Sequence, residues 1–180
     1  MSKGGSLRIY LSLAGLFVGL VVLANWLASA YIVRVPLTDY YAPAGVFAIG
    51  GVLVLRDWLQ QLKGLWWTMP LVYAAGLISW GVGDLAGWTG LERIAVASVV
   101  AFSISETVEA LVFTPLRNRS LTAGVLVSAT AGNALDSFLF LWIAFGSQAF
   151  FMGQLTGKME VIAIGTALTF GRRKFLPVIA

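Results

Sequence analysis

The chain reads as an all-α integral membrane protein with six transmembrane helices, and three observations predict it. Of its 180 residues 59% are hydrophobic and only 11% charged, with a mean hydropathy of +0.88, whereas a soluble domain carries about 25% charged residues. The apolar residues form continuous runs close to the ~20 residues a helix needs to cross the hydrocarbon. The runs do not alternate apolar with polar, so a β-barrel is not expected. One membrane domain, residues 1–180, leaves no room for a sizeable soluble one.

The first span covers 7–31. Ile9 to Val33 carries no charge, which exceeds the ~7–15 residues of a signal-peptide core, so this segment is read as a retained span. The second span covers 42–62 and holds the adjacent pair Arg56-Asp57 towards its end. The third covers 65–83 with almost no connection before it. The fourth covers 91–116, the fifth 121–145 and the sixth 159–175. Residues 34–41 and 146–158 are read as the longest outer connections. Trp58, Trp66, Trp67 and Trp88 fall near span ends, where indole rings anchor at the lipid–water interface. Gly15 and Gly19, and Ala24 and Ala28, give small residues at the four-residue spacing of close helix packing.

Loop charges orient the bundle. With both termini cytoplasmic, Lys3, Arg8, Arg56, Lys63, Arg117, Arg119, Arg172, Arg173 and Lys174 lie inside, and Arg34, Arg93 and Lys158 outside. The positive-inside rule favours this arrangement and the even span number. The net charge of +4 is thus placed largely by topology and does not suggest nucleic-acid binding. Cysteine and histidine are both absent. Disulfide and thiol chemistry are excluded, and the commonest metal ligand and neutral-pH proton shuttle is missing, so neither a metal nor a cofactor is expected.

Polar residues inside the spans carry the functional reading. Glu106 and Glu109 stand in an otherwise uncharged apolar stretch, and Asp136 stands in the next. An ionised side chain near the bilayer centre costs at least ~2.5–3.5 kcal/mol, and such residues face a bundle interior or a polar path. Glu106 and Glu109 are three apart and share a helix face. At the helical rise they lie ~18 Å and ~22 Å from the outer end of their span, and Asp136 ~8 Å from the outer edge. The three acids would mark different depths of one path. Asn133, one turn from Asp136, shares its face, with Thr130 and Ser137 nearby. Asn25 lies within the first span, where helix–helix hydrogen bonding competes with a ligand role. Of Arg56 and Asp57, which point to different faces, one faces inward. Trp26 and Trp80 offer rings that would stack on a flat ligand. The alternative for the acids is structural pairing with Arg56, Arg93 or backbone donors.

The same residues resemble those of the queuosine precursor transporters, also called the VUT or YhhQ family of vitamin uptake transporters. The resemblance rests on Ala24-Asn25-Trp26-Leu27 with Val35-Pro36, on Gly45-Val46-Phe47 through Arg56-Asp57, and on Arg93 through Ser98. It continues through Glu106, Glu109, Val112-Phe113 and Leu116-Arg117, then Ser128 through Asn133, Asp136-Ser137, Phe140 and Ile143-Ala144-Phe145. The last two stretches are the most specific. The chain departs from the family at Arg56, where threonine or a similar residue is usual, and at Glu106 and Glu109, where some members have glutamine and aspartate. The resemblance implies uptake of a 7-deazaguanine base, preQ0 or preQ1, across the cytoplasmic (inner) membrane of a prokaryotic cell. A carboxylate accepts a ring N–H and an exocyclic amino group together, and asparagines serve the ring's other polar atoms. On this reading Asn25, Asp57, Glu106, Glu109, Asn133, Asp136, Trp26 and Trp80 bind substrate.

Three other functions fit the composition. A substrate-binding subunit of an energy-coupling-factor vitamin importer would need an ATPase partner, since the chain has no nucleotide-binding motif. A membrane enzyme would use Glu106 and Glu109 as acid and base, but no nucleophile or metal set accompanies them, so no enzyme is expected. A structural membrane protein, self-associating as a homo-oligomer, is the third.

Overall fold

The structure is a computed structural model and describes residues 3–117 and 121–171. Six helices and one short hairpin follow in order: α1 Lys3–Ala30, β1 Ile32–Arg34, β2 Tyr41–Pro43, α2 Gly45–Lys63, α3 Leu65–Leu85, α4 Leu91–Arg117, α5 Leu121–Phe145 and α6 Phe151–Gly171. By length and composition, α1 over Leu7–Ala30 and α5 over Val127–Phe145 are sufficient among the described residues to cross a membrane. α2, α4 and α6 carry charged residues in mid-helix, which dilutes their apolar character. Large apolar side chains face outward along the helices, among them Leu11, Leu16, Leu77, Val96, Leu111, Trp142 and Ile164. Outward-facing side chains of this kind suit contact with lipid and would be a liability in water.

The first five helices start and stop within a few residues of the predicted spans. The sixth differs. Its helix begins at Phe151 rather than Met159, so residues read as an outer connection form two full turns, and Lys158 sits inside the bundle instead of outside it. The end of the predicted sixth span, 172–175, lies outside the described residues, as do Arg119, Arg172, Arg173 and Lys174. The side chains of Lys3, Asp57 and Arg117 lie outside them too.

Helix contacts run in a cycle, α1 to α2, α6, α5, α4, α3 and back to α1, with α4 and α5 the most extensively packed pair. Packing inside the cycle falls into two apolar layers. One joins Phe17, Val21, Val52, Leu55, Leu59, Val72, Ala75 and Phe102. The other joins Ala28, Ile94, Ala97, Ala101, Phe140, Leu141 and Ala144. The α2–α3 connection is Gly64 alone, with φ of 82°, a left-handed conformation that glycine adopts without the Cβ penalty of other residues.

The hairpin was not anticipated from the sequence. β1 and β2 pair antiparallel, Ile32 with Pro43, Val33 with Ala42 and Arg34 with Tyr41. Arg34 pairs with Asp39 across the exposed tip. Val35 and Ala42 are fully buried and pack with Val46. Gly153 and Gly157, one turn apart on α6, admit this plug. A Cβ on Gly153 would lie 2.0 Å from the Tyr41 carbonyl oxygen, and one on Gly157 3.1 Å from Val46. At the predicted small-residue pairs the outcome divides. Ala24 and Ala28 receive Gly45, whose added Cβ would meet the Ala24 carbonyl at 2.2 Å, whereas Gly15 and Gly19 have nothing within 4 Å.

Glycine at 153 is therefore a packing requirement. Gly153→Ala should lower the thermal midpoint of the detergent-solubilised protein by an amount equivalent to ~1–3 kcal/mol, while Gly15→Ala should leave it unchanged or slightly raised. Equal midpoints for both variants would refute the plug contact.

Candidate functional site

An interior cavity of about 60 Å³ lies where all six helices meet, room for roughly four waters. Apolar walls come from Phe17, Val21, Ile49, Val72, Phe102 and Phe140 among others, and a polar edge from Asn25, Ser98, Asp136, Gln154 and Lys158. Each polar residue reaches the cavity for an identifiable reason. Gln154 and Lys158 are four apart on α6, one helical turn, on the turns that Gly153 and Gly157 seat against the hairpin plug. Asp136 stands on α5 opposite them.

Lys158 is 2% exposed and donates from Nζ to a carboxylate oxygen of Asp136 and, at 3.0 Å, to the Ser137 hydroxyl. The ammonium thus meets an anion and a neutral acceptor in a medium where an unpaired charge would be prohibitively costly. Asn25, buried, donates from Nδ2 to the Ser79 hydroxyl at 2.9 Å and accepts from the Ser98 hydroxyl at 2.8 Å. It ties α1 to α3 and α4 while forming part of the cavity edge. Gln154 is 3% exposed, and no side-chain hydrogen bond to it occurs among the described residues.

Glu106 and Glu109 do not line this cavity. Glu106 accepts from Arg56 Nη1 at 2.5 Å, both side chains being 11% exposed. The Arg56 guanidinium also lies 5.6 Å from the centroid of the Phe102 ring, a cation–π distance. Phe102 touches the cavity as well, so one ring adjoins both the cavity and this second ion pair. Glu109 packs on Gly132 of α5, where a Cβ would lie 2.8 Å from its carboxylate. Asn133 points its amide at Met159 sulfur, 3.9 Å away. Arg93 bonds the Ile143 carbonyl at 2.6 Å, a cation at the C-terminal end of α5, where the helix dipole favours it.

The two tryptophans stand apart from the polar edge. Trp26 lies edge-on to Tyr31 at 5.9 Å and 6.0 Å from Trp88, an aromatic cluster near the hairpin. Trp80 is half exposed and lines a shallow groove between α3 and α4. Flat apolar surface at the cavity comes instead from Phe17, Phe102 and Phe140.

Of the residues singled out from sequence, the structure brings Asn25 and Asp136 to the cavity. Ser98, Gln154 and Lys158 join them and were missed as site residues. The signal for two of these was present: Gln154 and Lys158 share the four-residue spacing of Gly153 and Gly157, which marks a helix rather than a connection. Among the described residues no group of three His, Cys, Asp or Glu side chains is placed to hold a metal.

Breaking the Arg56–Glu106 pair should be costly and removing it whole should not. Arg56→Met or Glu106→Gln alone should destabilise by ~3–5 kcal/mol, with most of that recovered in Arg56→Met/Glu106→Leu; thermal unfolding in detergent measures it, and an additive double variant would contradict the pairing. For the polar tie, a double-mutant cycle between Asn25→Ala and Ser79→Ala should return a coupling of ~0.6–1.7 kcal/mol, and a coupling of zero would show that the bond contributes nothing.

A family profile described as "Putative vitamin uptake transporter" matches residues 9–171, nearly the whole chain and every element that lines the cavity. No curated protein and no solved structure matches the chain.

Proposed function

The chain belongs to the vitamin uptake transporter family, and from that premise we propose that it imports a flat nitrogen heterocycle, a 7-deazaguanine queuosine precursor such as preQ0 or preQ1, across the cytoplasmic membrane. The observation that carries this reading is the cavity lined by all six helices, with apolar walls and a single polar edge. Binding sites for small molecules share this lining, apolar for contact area and sparingly polar for orientation, and at about 60 Å³ the cavity must widen to admit a bicyclic ring. Phe17, Phe102 and Phe140 supply surface for the ring faces. Asp136 accepts from ring donors, and Asn25, Gln154 and Lys158 serve the remaining polar atoms. In this reading all six helices span the bilayer, with both termini cytoplasmic.

A second reading has one specific support. Gly15 and Gly19 leave a small-residue face of α1 open, an added Cβ at either meeting nothing within 4 Å among the described residues. A partner helix would pack closely there, as expected for the substrate-binding subunit of an importer energised by a separate ATPase.

Uptake of radiolabelled preQ0 and preQ1 by purified protein in liposomes, with and without a proton gradient, separates the readings. Saturable uptake blocked by unlabelled base is the expected result, and stimulation by the gradient would assign proton coupling. Tight binding without uptake would transfer the protein to the partner-energised class. Absence of both binding and uptake would reject deazaguanine as the substrate.

A further inference from the structure

We infer that the Asp136–Lys158 pair is the ligand-reading element of the cavity, and that it selects rings carrying a lactam edge, an N–H beside a C=O. This deepens the transport reading above and rests on it for the site, though not for the identity of the base.

Three observations carry it. First, Asp136 and Lys158 both line the cavity, and the salt bridge between them joins α5 to α6 beside it. Lys158 holds three N–H donors; Asp136 and Ser137 take two, leaving one. The carboxylate, with several lone-pair sites, likewise retains acceptor capacity beyond the one ammonium. Second, the acceptor and the donor stand within hydrogen-bond distance of each other. A ligand that satisfies both must present a donor and an acceptor equally close together, in that order. The N–H and C=O of a lactam do so on adjacent ring atoms, the N–H to Asp136 and the oxygen from Lys158. Third, Gln154 brings a buried amide to the same edge with no side-chain hydrogen bond among the described residues. Its combined donor and acceptor character suits the next polar atoms along such a ring.

Charge neutrality points the same way. The two ions cancel, so the site as a whole asks for no counter-ion, and a neutral ring leaves that balance intact. Hydrogen bonds to ionised groups are about twice as strong as neutral ones. A small contact edge therefore suffices to discriminate. A solely structural pair would do neither: it would sit behind apolar side chains, and its replacement by apolar residues would be silent.

The test uses the full chain in detergent and measures equilibrium binding of preQ0, of its 6-deoxy analogue (the same ring without the oxo group and N1–H), and of two unrelated lactam rings, uracil and lumazine. Wild-type protein should prefer preQ0 over the 6-deoxy analogue by about a hundredfold or more, the loss expected when buried charged groups are left without partners. Asp136→Leu/Lys158→Leu should keep a thermal midpoint near wild type and lose the preference; Gln154→Leu, which leaves the ion pair in place, should weaken preQ0 binding at least about tenfold. Should the double variant not fold, the comparison of rings on wild type and the Gln154 variant still decide. Equal binding of preQ0 and its 6-deoxy analogue, or full preQ0 binding by the double variant, overturns the inference while the deazaguanine reading stands. Binding of uracil or lumazine but not preQ0, dependent on the pair, supports the inference and removes deazaguanine as the substrate. If none of the rings binds, both fall.

Discussion

A buried ion pair organises this molecule. Lys158 is almost wholly enclosed, and an ammonium in such a place is tolerable only if an anion meets it. Asp136 on α5 does so, with Ser137 beside it. That requirement positions α6: the helix must pass α5 at the height of Asp136, and the turns before Lys158 must be helical to carry it there. The cavity then follows, because the charged heads occupy one edge and keep the apolar walls from closing on each other. Arg56 and Glu106 repeat the arrangement between α2 and α4, which are not consecutive in the chain. Two opposed pairs thus pin four of the six helices, and Asn25 with its two serines ties in the remaining contacts of α1 and α3.

Small residues decide how closely these elements approach. Within a bilayer hydrophobic burial gives little drive between helices, so close van der Waals contact has to supply it. Gly45 against the Ala24 carbonyl and Gly153 against the Tyr41 carbonyl each mark a place where a Cβ would force the partners apart. The hairpin depends on this. Its buried faces, Val35 and Ala42, close the bundle at the end near the cavity only because Gly153 and Gly157 present bare backbone to it. Val46, against which the hairpin packs, also lines the cavity.

Separation of the acids is informative for the chemistry. Glu106 is committed to Arg56, Glu109 packs against α5, and Asp136 alone among the three lines the cavity. A paired-acid mechanism of the kind open to a membrane enzyme needs two carboxyl groups facing one reacting atom; here one carboxylate faces a cation and a set of amides.

Continuous apolar runs, loop charges and buried acids were legible in the sequence, because hydropathy and the high cost of intramembrane charge act on each segment by itself. They determined the helical class, the first five helices to within a few residues, and the interest of Asn25 and Asp136. The tertiary structure alone decided the rest. The start of α6 at Phe151 was hidden because Gln154 and Lys158 read as a polar connection until Asp136 neutralises Lys158 across the bundle. The hairpin was hidden because three-residue strands carry too little periodicity, and their stability comes from packing on α6. Which acid faces the cavity depends on which cation another helix delivers to it. Local physics sets the elements of this chain; the partners of its buried charges, separated by 22 residues in one pair and 50 in the other, exist only once the helices are brought together.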